Sequence, residues 1–230
     1  MNILIIDTSS RIELVALSTG SGTFSKTAAI DKSHSITLLT DIKKIFADAG
    51  LSLADIDLIA AGIGPGSFTG IRIAVSTARM LAQMGKKPLV GIPSQLLYAV
   101  SMDAAPGSNI LIALDAKKSR VFGALYKKSG EDIHPQEITP PGDYPIDYLA
   151  GRVDKNHMTH TAGDGIPPYS AKHLDPAINY RHRDSMVFSI ENISRLAADL
   201  HEKNRDASMD YGRIVPWYAR KSDAELGLEK

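Results

Sequence analysis

LIAAGIGPGSFTGIRIAVSTARML, residues 58–81, is the stretch from which the fold of this chain is interpreted. Its first four residues form a short apolar run typical of a buried strand, a glycine-rich loop follows, and a helical pattern begins near Thr69. Backbone N–H groups and the positive end of the helix dipole converge at such a junction, where many proteins bind phosphate. The stretch therefore raises the hypothesis of a nucleotide site, with Gly64, Gly66 and Ser67 as candidate loop residues.

The loop departs from the known site motifs at single positions. The dinucleotide fingerprint GxGxxG would need glycine at Ser67 or at Thr69. The Walker pattern fails because no Gly-Lys-Ser/Thr closes the loop, and a GxSxG nucleophile elbow centred on Ser67 would need glycine at Pro65 and Thr69. The alternative interpretation is that the glycines permit a tight turn and a close approach of helix and sheet.

Composition and charge narrow the class of protein. The 230 residues suffice for one sizeable domain or two smaller lobes, and an apolar content of 43% is ordinary for an α/β protein. Lysine plus arginine equal aspartate plus glutamate at 26 each, so the net charge does not indicate binding to nucleic acid or to an anionic membrane. Cysteine is absent, which excludes disulfides and thiolate metal sites. No apolar run approaches the roughly 20 residues of a membrane span, and the N-terminus lacks the basic start of a signal peptide, so we expect a cytoplasmic protein with no membrane partner.

The beginning of the chain is echoed near its middle. Residues 2–7, NILIID, return as residues 109–115, NILIALD, and each run is followed by a polar turn with an arginine and a second β-like run. Such internal similarity predicts two related lobes instead of one continuous sheet. We expect an N-terminal lobe over 1–105, a C-terminal lobe over 106–210, and a tail over 211–230 that returns to the N-terminal lobe.

The second half of the chain has a weaker pattern. Residues 131–147 contain four prolines and predict a loop with a weak strand. Residues 158–162 predict a strand, and residues 190–203 predict an amphipathic helix because their apolar side chains recur every three or four positions.

Two aspartates end the echoed runs, and each has two interpretations. Asp7, which Thr8 follows, and Asp115 lie where a two-lobed actin-like kinase or ATPase would hold Mg²⁺ and phosphate. Alternatively, each aspartate only starts the turn after its strand. The sequence pattern does not choose between these interpretations.

Histidine gives little support for a metal site. His34 has Leu38 at i+4, where a helical metal pair would need its second ligand. His157 and His160 have loose ligand spacing but lie in a polar region without acidic support. We therefore predict no metal site and no catalytic constellation.

The helix after the glycine-rich loop is apolar around most of its circumference. At about 100° per residue, Arg72, Ser76 and Arg79 share one narrow polar stripe, and mainly apolar residues cover the rest. A helix packed only on its own sheet needs a narrower apolar face. Either part of this helix meets another protein, or it is buried between the sheet and neighbouring helices.

Several segments together resemble one family. GPGSFTGIRI (64–73), LIIDTSS (4–10), SHS (33–35), LDA (114–116) and PWYAR (216–220) resemble, in order and spacing, the bacterial TsaB (YeaZ) family of tRNA threonylcarbamoyladenosine biosynthesis proteins. The N-terminal half carries most of the similarity. The resemblance implies an α/β protein with the two-lobed actin-like (ASKHA, ribonuclease-H-like) fold, each lobe a mixed sheet flanked by helices.

The resemblance also implies a role in tRNA modification. It implies a non-catalytic subunit required to form N6-threonylcarbamoyladenosine at position 37 of tRNA (t6A37). The implied partners are a TsaD-type catalytic paralogue, which holds a metal through His-x-x-x-His, and a TsaE-type ATPase, with tRNA contacted indirectly and a homodimer formed when the partner is absent. No cofactor is implied, except a nucleotide at an interface shared with partners.

The implied partner interface consists of the helices over 33–49 and 69–83. Its candidate residues are His34, Thr37, Asp41, Ile71, Arg72, Val75, Ser76 and Arg79. The rival hypothesis is an actin-like phosphotransferase or ATPase that acts on its own and uses Asp7 and Asp115 to bind ATP. A peptidase is the third alternative.

Overall fold

The computed structural model describes residues 1–29, 34–130, 132–166, 180–183 and 187–220, and for 34–36 and 180–183 it describes only the backbone. Within these residues the strands form two five-stranded sheets. The first sheet and its helices comprise β1 (Ile3–Asp7), β2 (Ile12–Thr19), β3 (Gly22–Ala29), α1 (His34–Ala49), β4 (Leu58–Gly62), α2 (Phe68–Gly85), β5 (Leu89–Ile92) and α3 (Ser94–Val100). The second comprises β6 (Asn109–Asp115), β7 (Arg120–Lys127), β8 (Gln136–Pro145), α4 (Ile146–Ala150), β9 (Thr159–Ala162), β10 (Tyr180–Arg183) and α5 (Ile190–Lys203).

The two sheets share one topology. The strand order is β3-β2-β1-β4-β5 in the first and β8-β7-β6-β9-β10 in the second. In each sheet the first three strands in sequence pair antiparallel, and the first, fourth and fifth pair parallel. The echoed runs are the equivalent central strands β1 and β6, which explains their continuous apolar character, since a central strand is buried on both faces. The predicted α/β class with two mixed sheets is confirmed.

Alternate residues of β1 face different cores. Ile3 and Ile5 belong to a core shared by both sheets and by α3 and α5. Leu4 and Ile6 belong to a core on the opposite face, beneath α1 and α2. A third core lies between the second sheet and α4. The period of two along the strand therefore places α1 and α2 on the outer face of the first sheet, away from the second sheet.

The prediction for the proline-rich segment was wrong in extent. Residues 136–145 form the ten-residue strand β8, which pairs antiparallel with β7. β8 is an edge strand, and its pairing is irregular between Thr139 and Gly142, where Pro140 and Pro141 lie. Prolines are tolerated at sheet edges and at bulges because no ladder N–H is needed there. The strand predicted over 158–162 is confirmed as β9 (Thr159–Ala162), and the helix over 190–203 is also confirmed.

The raised pKa values of two buried tyrosines predict how the stability of the fold depends on pH. Burial raises the pKa of the phenol of Tyr98, with the charge of Asp7 adding to the effect, and burial also raises the pKa of Tyr126. The unfolded chain releases these protons near the ordinary value of about 10, whereas the folded chain retains them. We expect the free energy of unfolding to fall as pH rises above about 10, by about 1.4 kcal/mol per pH unit for each tyrosine.

Urea denaturation between pH 8 and pH 11 measures this dependence. The control is Tyr126→Phe, which removes one titrating group and keeps the buried ring, so its stability should fall less steeply by about 1.4 kcal/mol per pH unit. If the free energy of unfolding fell equally steeply with pH in both proteins, the raised pKa of Tyr126 would be contradicted.

Candidate partner interface and the junction beside it

The glycine-rich loop packs directly against the turn that follows β1, residues 7–9. Three glycines have no room for a side chain, one at the end of β4, one in the loop and one in the first turn of α2. An added Cβ would lie 1.8 Å from Asp7 Oδ2 at Gly62, 2.2 Å from the Ser9 carbonyl oxygen at Gly66, and 1.9 Å from the Thr8 carbonyl oxygen at Gly70. Contacts this short exclude any Cβ, so these positions require glycine for close approach between the two turns.

Hydrogen bonds join the same two segments. The Ser67 N–H donates to the Ser9 carbonyl at 2.7 Å, and the Thr8 hydroxyl donates to the Gly70 carbonyl at 2.6 Å. Ser67 caps α2, because its hydroxyl accepts the Gly70 N–H at 3.3 Å. The start of α2 is therefore bound to the β1 turn, as the tight-junction interpretation predicts. The assignment of Gly64, Gly66 and Ser67 to a phosphate site stays a prediction.

The aspartates at the ends of β1 and β6 both start turns. Asp7 is 2% exposed, and its Oδ1 accepts the Ser9 N–H at 2.7 Å. Asp115 accepts the Lys117 N–H at 2.8 Å and also pairs with the Lys117 ammonium. Carboxylates that accept the amide two residues on are typical of turn initiation. Among the described residues no group of three potential His, Asp or Glu ligands is placed to hold a metal ion.

A groove of about 300 Å³ lies between α1 and α2 on the outer face of the first sheet. Its lining residues are Leu38, Leu39, Arg72, Ile73, Ser76 and Thr77. Large apolar side chains lie exposed on the same two helices: Leu39 is 46% exposed, Met80 is 42% and Met84 is 71%. Exposed apolar side chains grouped on one face are typical of a protein-binding surface.

The structure separates the predicted interface residues into two sets. Arg72 and Ser76 are exposed and line the groove, and Arg79 and Thr37 are partly exposed. The prediction of Ile71 and Val75 as contact residues is corrected, because they are only 0% and 1% exposed. They share the buried side of α2, together with Ala74, Ala78, Leu81 and Ala82.

On α1, Asp41 is also buried. It is 4% exposed, and its carboxylate pairs with the Lys26 ammonium of β3. Thr37 donates its hydroxyl to Glu13 Oε2 at 3.0 Å. His34 lies in the first turn of α1, and its side chain lies outside the described atoms.

Sequence reasoning missed several exposed or partly exposed residues of this face: Leu39, Ile73, Thr77, Met80 and Met84. Four of them recur at i, i+4 or i+3 along α2, one position from the Arg72 stripe. That spacing indicates a second apolar face of α2. It could not be recognised from the sequence because the buried residues of the helix are equally apolar.

The segment after α5 reaches this surface. The Trp217 N–H donates to the Ile63 carbonyl at 2.8 Å, beside the glycine-rich loop. The ring centroids of Tyr218 and Phe68 are 4.7 Å apart. Arg72 donates from Nε to the Tyr218 hydroxyl at 2.5 Å, and its Cζ lies 3.9 Å from the Phe68 ring centroid.

Two equivalent mixed sheets with helices between and outside them define an actin-like two-lobed protein. The family model described as TsaD: tRNA N6-adenosine threonylcarbamoyltransferase matches residues 26–142, and the chain belongs to that family. The resemblance to TsaB (YeaZ) proteins is confirmed by the relatives described below. No helix among the described residues is long and apolar enough to cross a membrane.

The curated relatives carry the name tRNA threonylcarbamoyladenosine biosynthesis protein TsaB. The one from Escherichia coli (strain K12) is 32% identical over 140 residues, which cover 60% of this chain and 61% of the relative. The one from Buchnera aphidicola subsp. Schizaphis graminum is 34% identical over 128 residues, which cover 55% of this chain and 61% of the relative. The match thus spans about three fifths of the length of either relative.

Solved structures resemble the chain over almost its whole length. A Pseudomonas aeruginosa protein described as similar to peptidase YEAZ superposes with a TM-score of 0.80, at 23% identity, covering 95% of this chain and 99% of the other. YeaZ from Pseudomonas aeruginosa superposes with a TM-score of 0.78, also at 23% identity, covering 94% and 99%. At this identity the superpositions show the shared fold.

Proposed function

We propose that this chain is a non-catalytic subunit required for t6A37 formation in tRNA. It acts in the cytoplasm, pairs with a TsaD-type catalytic paralogue and supports the docking of a TsaE-type ATPase. The similarity to proteins named for threonylcarbamoyladenosine biosynthesis supports the pathway. The groove between α1 and α2, with its exposed apolar residues, is the observation that carries the pairing.

Leu38 supports a non-catalytic role for the chain. Leu38 stands where the His-x-x-x-His pair of the catalytic type would have its second histidine, and it is 1% exposed within the core beneath α1. A buried leucine supplies packing and no metal ligand. As a separate point, we propose that any nucleotide is bound only at a surface shared with partners.

The groove suits a helical partner. Its walls are two neighbouring helices, so side chains of a third helix can enter between Leu39 on α1 and Ile73 on α2. Met80 and Met84 extend the apolar face along α2, and methionine adapts its shape to a partner surface. Burial of these side chains supplies the apolar contribution to association.

Reconstitution of tRNA modification tests the proposed function. The TsaD-type and TsaE-type proteins of the same organism are incubated with tRNA and a source of threonylcarbamoyl-adenylate, with and without this chain, and t6A is measured in digested tRNA by mass spectrometry. We expect t6A to fall to background without the chain. Modification at full rate without it would contradict the proposal, and turnover of Mg-ATP by the isolated chain would support the rival enzyme.

A further inference from the structure

Arg72 is held in one position at the edge of the groove. Its Nε donates to the Tyr218 hydroxyl at 2.5 Å, and its guanidinium carbon lies 3.9 Å from the centroid of the Phe68 ring. Tyr218 in turn packs on Phe68, with ring centroids 4.7 Å apart. An arginine held on two sides has already lost much of the rotamer freedom that binding would otherwise remove.

Among the side chains that the structure describes, no carboxylate pairs with the terminal nitrogens of Arg72. Across the residues with described side chains, the Arg72 guanidinium has only the Tyr218 hydroxyl and the two aromatic rings as partners. The two Nη groups therefore present a fork of N–H donors, the geometry that matches a carboxylate. Arg72 is exposed and lines the groove, so this fork is accessible to a partner.

The charged side chains that α2 contributes beside the groove are all positive. α2 contains Arg72 and Arg79 and no aspartate or glutamate. On α1, Asp41 is buried and paired with Lys26, and Asp48 lies in the last turn of the helix. An apolar groove with a cationic edge is complementary to an apolar surface with an acidic edge.

We propose that Arg72 is the receptor for an aspartate or glutamate carboxylate of the partner that fills the groove, and that Tyr218 is its positioning residue. This inference rests on the proposed function, since the partner is the TsaD-type paralogue. A second copy of this chain is the poorer occupant. A symmetric dimer brings two copies of the same surface together, and the lining of the groove contains no acid that could accept Arg72 of the other copy.

Isothermal titration of the whole chain with the TsaD-type paralogue tests the inference. We expect Arg72→Glu to weaken binding by at least about 30-fold, because one charge of a desolvated pair is reversed. Arg72→Lys should weaken it by about 10-fold, since lysine keeps the charge and loses the fork. Arg195→Glu, the same charge change at an exposed position of α5, is the control and should leave Kd unchanged.

Three further measurements separate a binding role from a structural one. Tyr218→Phe should weaken binding by about three-fold while urea denaturation shows unchanged stability. Acidic residues of the paralogue are changed one at a time to arginine, and one such change should restore binding to Arg72→Glu. Sedimentation of the chain alone should show no loss of self-association in Arg72→Glu.

The outcomes distinguish the inference from the proposed function. If the natural chain does not bind the paralogue, the proposed function fails and the inference with it. If the natural chain binds and Arg72→Glu binds equally well, or no acidic position restores binding, the inference is overturned while the pairing stands. Loss of self-association with unchanged paralogue binding would assign the groove to a homodimer and overturn the inference.

Discussion

Gly70→Ala should lower the free energy of unfolding by about 3 kcal/mol or more. The added Cβ would lie 1.9 Å from the Thr8 carbonyl oxygen, which is backbone and cannot turn aside as a side chain could. The start of α2 would have to move away from the β1 turn, which also breaks the hydrogen bond from the Thr8 hydroxyl to the Gly70 carbonyl. Urea denaturation at neutral pH measures the loss.

The expected loss of stability is opposite in sign to the usual effect of replacing a helical glycine by alanine. Gly70 lies in the first turn of α2, and alanine at a helical glycine ordinarily gains about 1 kcal/mol. The control is Gly20→Ala, where an added Cβ meets no atom within 4 Å. That variant should stay within about 0.5 kcal/mol of the natural chain. A Gly70→Ala protein as stable as the control would show that the glycine is not needed for close approach.

Ile71→Ala should cost about 3 kcal/mol of stability. Ile71 is 0% exposed, and its side chain lies against Gly64 of the loop, where a Cβ would be 3.1 Å from Ile71 Cγ2. Alanine would leave a cavity between the loop and α2. Ile71→Val should lose about 1 kcal/mol, in proportion to the single methyl group removed.

Ile73, two positions further along α2, separates the core from the groove. It is partly buried and lines the groove, so Ile73→Ala should cost less stability and weaken binding to the TsaD-type paralogue. Ile71→Ala should bind normally at a temperature where it remains folded. Urea denaturation and isothermal titration of both variants provide the comparison. Weakened binding with unchanged stability for Ile71→Ala would place Ile71 in the partner interface, as the family resemblance implied.

The sequence predicted the features that depend on neighbouring residues. The repeat of residues 2–7 in 109–115 predicted two lobes, because a central strand buried on both faces needs a continuous apolar run wherever it occurs. The helix over 190–203 was predicted to its end residues, since its apolar side chains recur on one face. The ten-residue strand β8 was missed because tolerance of its prolines depends on an edge position in the sheet, which is a property of the assembled fold.

The candidate interface stays a prediction, and the structure shows where its residues lie. A groove lies between the two predicted helices, and Arg72 and Ser76 are the predicted residues that line it. The pattern could not assign Ile71 to the core and Ile73 to the groove, because isoleucine suits either place. The packing of α2 on the rest of the fold decides which of the two isoleucines is buried.

For the stretch 58–81, the sequence by itself determined a strand, a glycine-rich turn and a helix, because these follow from apolar period and from glycine spacing. It also determined the family, through motifs distributed along the chain. Only the tertiary structure decided what the glycines and Arg72 contact. The Thr8 carbonyl lies 62 residues from Gly70, and the Tyr218 hydroxyl lies 146 residues from Arg72. Contacts between residues so far apart in sequence arise only when the chain folds back on itself. Local sequence patterns therefore do not predict them.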